Sequence, residues 1–368
     1  MAKSHSLDIG FWFPRPERGA TLAQHLRRRG HQVSIYHHLP VPDDPAYVRQ
    51  VGRRFLPGLR VLRGSSHDVL YTSHAFTPVL QLLVNKRLTG QPFVFNSNGP
   101  IWGRGDSWSL TRPKAALHPM LLRMVVADAD AIVANSRFLA NGFRSRYPSH
   151  DSKISTIYNG IDYGKVEAGV PRRSEWPPGK IRILSTVTLQ FARKTEGARL
   201  LIDAYEIIGR RHPDVSFLMA AKSDIPAVVA SIKGRIAQLR CADRVRLDVN
   251  RGDVPDLLAS ADLFLYATPA DSSDSLPRAL LEAQAAGIPI VTTTTTGCAE
   301  VILDRETGLA VDYDANAIAD AASELLSDTD LARRMAERGK QTVRERFSWD
   351  TMADEYEKLF LQVVGAAQ

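Results

Sequence analysis

Short apolar runs alternate with amphipathic stretches along most of the chain. Leu7 to Phe13 is apolar apart from Asp8 and Gly10 and reads as a buried strand. Pro14 to Gly19 holds Pro, Gly and charge and reads as a loop. Ala20 to Arg29 follows as a helix with Leu22 and Leu26 on one face and arginines in its last turn, where cations suit the helix dipole. Gly30 stops it, and Gln32 to Tyr36 is the next strand. Further strands are expected at Val69–Tyr71, Phe93–Phe95 and Ala131–Val133. The strand–helix–strand rhythm predicts a parallel α/β sheet.

The stretch 164–180 breaks that rhythm with Gly169, Pro171, Pro177, Pro178 and Gly179, and it reads as a linker. The pattern then restarts. Ile181–Thr186 is a strand, and Thr195–Arg211 is a helix with Leu200, Leu201, Ala204, Ile207 and Ile208 on one face. Strands recur at Val215–Ala220, Val245–Leu247, Leu263–Tyr266 and Pro289–Thr293. Two successive parallel α/β units imply ligand binding at the carboxyl ends of their strands, in a cleft that both sheets face.

Composition narrows the class. With 368 residues, 44% hydrophobic and 24% charged, the chain is neither disordered nor fibrous, and its length suits two domains. Two cysteines, Cys241 and Cys298, make no disulfide framework and no zinc motif, as in a reducing compartment. The first residues lack the apolar core of a signal peptide, and no apolar run reaches the ~18 residues of a membrane span. A cytoplasmic protein is therefore expected. Charge is uneven: up to Gly160 there are 21 Lys+Arg against 9 Asp+Glu, and beyond it 26 against 31. A basic first half suits a phosphate-bearing partner, a nucleic acid or an anionic membrane surface, with solvated arginines as the plain alternative. Arg27, Arg28, Arg29, Arg49, Arg53, Arg54, Arg60 and Arg63 concentrate that charge, so peripheral contact with the inner face of a membrane is a further expectation.

The stretch 271–289 carries the most chemistry. Ser275 is placed to cap a helix with Pro277 in its first turn; apolar residues follow to Ala286, Gly287 terminates and Pro289 prevents continuation. Asp274 lies just before this helix and Glu282 within it. A helix start accepts phosphate, and carboxylates accept hydrogen bonds from sugar hydroxyls. Asp128/Asp130, before a strand, Asp312/Asp314, in a turn, and Asp328/Asp330, near a helix start, read as structural pairs, and no His/Asp/Glu cluster has metal-ligand spacing. Neither a Gly-x-Ser-x-Gly elbow nor a P-loop is present, and Trp102 to Trp108 is expected as a sugar-stacking loop, not a nucleic-acid motif.

The spacing Asp274-x7-Glu282, with Leu281-Glu282-Ala283 and Ala286 to Val291, resembles the two-carboxylate motif of retaining glycosyltransferases of family 4. Asp128 to Ser136, Ile157-Tyr158-Asn159-Gly160-Ile161-Asp162, Gly297 with Glu300, Thr307-Gly308-Leu309 and Phe347-Ser348-Trp349 resemble further segments of that family, in the same order. The resemblance implies a GT-B fold, two Rossmann-like domains facing a central cleft. It divides the chain into an acceptor domain at 1–163, the linker 164–180, a donor domain at 181–346 and a last helix, 347–368, that crosses back to the first domain.

It also implies roles. Asp274 takes the first carboxylate place, against the donor sugar, where the family norm is Glu; Glu282 takes the second, on the nucleotide ribose. Lys194 matches the lysine that neutralises the donor pyrophosphate. The arginine five residues earlier falls on Leu189, with Arg193 as the substitute cation. Ser275, Leu276 and Pro277 complete the donor side, and Gly19 sits where the family has glycines near the donor phosphate. Asn98, in Asn96-Ser97-Asn98-Gly99, stands near the family's cleft histidine, with His74 as an alternative. The implied reaction moves a sugar from a nucleoside diphosphate sugar to a hydroxyl of a glycan, a lipid-linked acceptor or a natural product, with retention, without metal or other cofactor and without nucleic acid. Front-face attack and a covalent intermediate both stay open at this stage. A non-hydrolysing sugar-nucleotide epimerase and a catalytically silent GT-B binding protein are the competing expectations.

Overall fold

The computed structural model describes residues 6–13, 17–37, 48–51, 55–73, 76–99, 112–272 and 274–367. The chain divides into two compact units, Met1–Gly160 with Trp349–Gln368, and Ile161–Ser348.

The first unit is built on β1 (Asp8–Phe13), α1 (Glu17–Arg28), β2 (Gln32–His37), β3 (Val48–Gln50), α2 (Phe55–Arg63), β4 (Val69–Ser73), α3 (Phe76–Thr89), β5 (Phe93–Ser97), α4 (Arg112–Asp128), β6 (Ala131–Ala134), α5 (Arg137–Arg146) and β7 (Ile154–Thr156). Its seven strands pair in the order β3-β2-β1-β4-β5-β6-β7, and every pairing is parallel. The second unit holds α6 (Tyr163–Glu167), β8 (Ile181–Thr188), α7 (Ala192–Arg211), β9 (Val215–Lys222), α8 (Pro226–Ile236), β10 (Val245–Val249), α9 (Val254–Ser260), β11 (Leu263–Tyr266), α10 (Arg278–Ala285), β12 (Ile290–Thr293), α11 (Cys298–Val301), β13 (Leu309–Val311), α12 (Ala315–Ser327) and α13 (Thr329–Arg346). Its six strands run β10-β9-β8-β11-β12-β13, again all parallel. The chain ends in α14 (Trp349–Ala367), which belongs to the first unit.

Both sheets thus start in the middle, add strands on one side and then switch to the other. That is the doubly wound order, which opens a crevice at the switch point. In the second unit the switch lies between β8 and β11. The strands are buried on both faces, as parallel sheets covered by helices require; β4, β5, β6, β11 and β12 are buried along their whole length.

The stretch 164–180, expected as a linker, is bonded onto the second unit. The Val170 amide donates to Asp256 (2.9 Å), the Arg172 amide to Ser260 (2.7 Å), and Glu175 pairs with Arg251 (2.7 Å). Gly169 runs so close to α9 that an added Cβ would lie 2.3 Å from the Pro255 carbonyl oxygen. Proline and glycine mark close packing there. α14 is fixed on the first unit by Tyr356, which accepts from the buried Tyr71 hydroxyl (3.0 Å), and by Asp354 and Glu357, which hold Arg29.

Gly19 was expected in a loop and lies in α1. An added Cβ would sit 2.4 Å from Phe13 and 2.9 Å from Phe11, so two aromatic rings packed on the first helical turn account for the glycine. The Asp-x-Asp pairs are structural. Asp130 binds Lys86 (2.8 Å) and Asp128 binds Arg87 (2.7 Å), while Asp314 and Asp328 cap α12 and α13. Among the described residues no His/Cys/Asp/Glu group has the arrangement of a metal site, and no helix is long and apolar enough to cross a membrane.

Candidate donor site

At the switch point of the second sheet, the carboxyl ends of β8, β9 and β11 and the start of α10 line a cavity of about 660 Å³. That volume lies in the range of small-molecule sites. Lys194, Asp274, Pro277 and Glu282, singled out from the sequence, all line it.

Lys194 is in the first turn of α7 and reaches Asp274, with its ammonium 3.1 Å from Oδ1. Asp274 is only 7% exposed. Its other carboxylate oxygen accepts from the Tyr266 hydroxyl at the end of β11. Burial, with the Asp274 charge beside it, holds the Tyr266 phenol well above the usual tyrosine range, so it is a neutral donor at any working pH. Cys298 faces the same carboxylate; burial and then the Asp274 charge push its thiol up to about 12, so it stays uncharged. An ammonium has three N–H donors. Asp274 takes one, which leaves two for a ligand.

The helix α10 starts later than its sequence suggests. Its N-cap is Pro277, and no side chain caps it, so Ser275 does not have the capping role expected of it. Ser275 and Leu276 are buried behind the cavity wall, where the Ser275 carbonyl oxygen packs on Gly297 so tightly that an added Cβ would lie 1.7 Å away. Uncapped first-turn amides, at Arg278 and Ala279, therefore border the cavity. Such amides, aligned with the helix dipole, bind anions. One turn along, Glu282 pairs with Arg278 (3.3 Å). Burial raises its carboxyl above the usual range, against the lowering pull of Arg278 and Lys165.

Arg193, the expected substitute cation, does not line the cavity. It is held by Asp271 (2.7 Å) and Glu196 (3.1 Å). Leu189 is 1% exposed in the core of the second unit and presents no polar group in place of an arginine. In the first unit Asn98 follows β5 with its side chain exposed. Asn159 donates to its Oδ1 and Asn135 to its carbonyl, both at 3.3 Å. His74 and the stretch 102–108 lie outside the described residues.

The fold adds residues that sequence reasoning did not single out: Tyr266, Lys222 at the end of β9, and Asn250 and Arg251 after β10. Arg251 is gripped by Asp253, Asp248 (2.8 Å) and Glu175, and those bonds raise its already high pKa.

Comparison with known proteins agrees with this geometry. Residues 20–165 match the family described as Glycosyltransferase Family 4, and residues 175–342 match Glycosyl transferases group 1. The N-acetyl-alpha-D-glucosaminyl L-malate synthase of Bacillus anthracis is 28% identical, with 94% of this chain and 93% of that protein covered. The phosphatidyl-myo-inositol mannosyltransferase of Mycobacterium tuberculosis is 26% identical, covering 94% and 92%. Among solved structures, Anabaena HepE in complex with UDP superposes with a TM-score of 0.78 at 16% identity, over 97% of this chain and 100% of that one. A glycosyltransferase of Rickettsia africae gives 0.75 at 16% identity, over 98% and 99%. These likenesses establish the GT-B fold and a transferase enzyme. The chain belongs to glycosyltransferase family 4.

Proposed function

We propose that this enzyme transfers a sugar from a nucleoside diphosphate sugar to an acceptor hydroxyl, with retention of anomeric configuration. One observation carries the reading: a single cavity is lined by Lys194 bonded to Asp274, by the uncapped start of α10, and by Glu282 one turn along that helix. In this reading the diphosphate lies on the α10 amides and Lys194. Asp274 keeps lone pairs for a hydroxyl of the donor sugar, and Glu282 accepts from the ribose diol. As the bond from the anomeric carbon to the phosphate oxygen breaks, charge builds on the diphosphate, and Lys194 offsets it. The acceptor oxygen bonds to the anomeric carbon on the same face, and its proton passes to a diphosphate oxygen. Positive charge comes from the protein, so no metal is required. A crystal structure of HepE with UDP, and relatives named for glycosyl transfer to malate and to a phosphatidylinositol, support the donor and acceptor classes.

The experiment is nucleotide release from a panel of donor sugars, with and without acceptors, in excess chelator. Acceptor-dependent release is expected. Loss in chelator that magnesium or manganese restores would overturn the metal-free part.

The proposal includes contact with an anionic membrane surface. α2 carries Arg60 and Arg63 and no carboxylate, and it leaves Leu56 66% and Val61 38% exposed. Arg27 and Arg29 are withdrawn from the row of arginines, since Arg27 bonds the Val33 carbonyl (3.0 Å) and Arg29 pairs with α14; Arg53 and Arg54 lie outside the described residues. Each basic residue at such a surface contributes about 1 kcal/mol, and salt screens it. Co-sedimentation with phosphatidylserine vesicles should therefore fall steeply as salt rises, and absence of binding at low salt would remove membrane contact from the proposal.

A further inference from the structure

The cavity wall holds four cationic side chains, and three are committed. Lys194 is bonded to Asp274 (3.1 Å), Arg278 to Glu282 (3.3 Å), and Arg251 to Asp248 (2.8 Å), Asp253 and Glu175 (2.7 Å). The fourth, Lys222, has no side-chain hydrogen bond or ion pair among the described residues. A Lys–Asp pair is neutral in sum, so Lys194 with Asp274 does not by itself balance a diphosphate.

The backbone that carries Lys222 is pinned from two sides. Its carbonyl accepts from the Leu189 amide (2.8 Å). Asn250, at φ 60°, donates its backbone amide to the Ala221 carbonyl (2.7 Å) and its side-chain amide to the Ser223 carbonyl (2.7 Å), and its Oδ1 accepts from the Ser223 amide (3.0 Å). Asn tolerates this left-handed conformation better than most residues. The backbone is therefore fixed while the side chain is left for solvent or a ligand. Lysine serves here as a compact point charge with three donors.

We propose that Lys222 is a second cation for the donor diphosphate, supplying from β9 the charge that the buried Leu189, bonded to it through the backbone, does not. This rests on the donor reading above and assigns the site a residue on β9, a different element from α7, which carries Lys194. The roles divide: Lys194, held by Asp274, is fixed in place, whereas Lys222 is free to follow the phosphates.

The test is calorimetric binding of UDP, GDP and ADP to the wild-type chain, then of the tightest of these with its monophosphate and its nucleoside to Lys222→Ala, Lys222→Arg and Lys194→Ala. Lys222→Ala should weaken the diphosphate about tenfold, the order expected for one charge-assisted hydrogen bond. It should weaken the monophosphate less and leave the nucleoside unchanged, and Lys222→Arg should keep most of the affinity. Unchanged diphosphate binding in Lys222→Ala, with Lys194→Ala still impaired, overturns the Lys222 assignment and leaves the donor reading standing. An equal loss for all three probes also overturns it, because the lysine would then act on the nucleoside or the fold. A wild type that binds none of the three nucleoside diphosphates overturns the donor reading and the assignment with it.

Discussion

Lys194→Ala should slow sugar transfer by about 10²-fold or more, the usual effect of removing one group that stabilises transition-state charge. Two losses combine. The leaving diphosphate loses a cation that lines the cavity and has two N–H groups beyond the one Asp274 takes. Asp274, 7% exposed, loses the ammonium 3.1 Å away and becomes an uncompensated buried anion beside the phosphates. The second loss has a signature. Lys194→Ala combined with Asp274→Ala should bind the nucleoside diphosphate more tightly than Lys194→Ala alone, because the orphaned anion is gone. Single-turnover rates with saturating donor, and calorimetry on the three variants, check both parts. A Lys194→Ala enzyme with near-wild-type transfer would remove this lysine from the chemistry.

Asp274→Ala should also cut transfer by about 10²-fold, while leaving binding of the free nucleoside diphosphate intact or improved. Its carboxylate orients Lys194 through one oxygen and engages Tyr266 through the other. Truncation releases both partners but removes a negative charge from the phosphate side. Asp274→Asn keeps an acceptor oxygen and loses the charge, so it should retain part of the rate. Asp274→Glu tests the shorter side chain directly. The extra methylene has to fit between Lys194 and Tyr266, and overpacking of that kind costs about 1–3 kcal/mol. A changed ranking of donor sugars in that variant would place the carboxylate against the sugar. A donor panel with one acceptor decides. Near-wild-type transfer by Asp274→Ala, with donor ranking preserved, would reduce Asp274 to a loop residue.

The central strands were legible because a strand buried on both faces is a short apolar run, as at Phe93–Phe95 and Leu263–Tyr266. β3, β7 and β13 were not, since each is only three residues long and shows no strand period of its own. The start of α1 hides behind Pro14 to Pro16, and the stretch 164–180 misleads because proline and glycine also mark close packing. In the site, the Asp274–Glu282 spacing and Lys194 carried a local pattern. Tyr266 did not: an aromatic residue closing an apolar strand reads as core, and only the folded chain brings the Asp274 carboxylate to its hydroxyl. Lys222 is a lone cation after an apolar strand, and its place in the cavity depends on β9 pairing with β8.

Retaining, metal-free sugar transfer is tested by a proton NMR time course of the wild-type chain with a nucleoside diphosphate sugar, with and without acceptor, in excess chelator. Free nucleotide and glycosylated product should appear together, only when acceptor is present, and the product's anomeric coupling should match that of the donor. Nucleotide release that ignores the acceptor, an epimerised donor sugar, or a product of inverted configuration would contradict it.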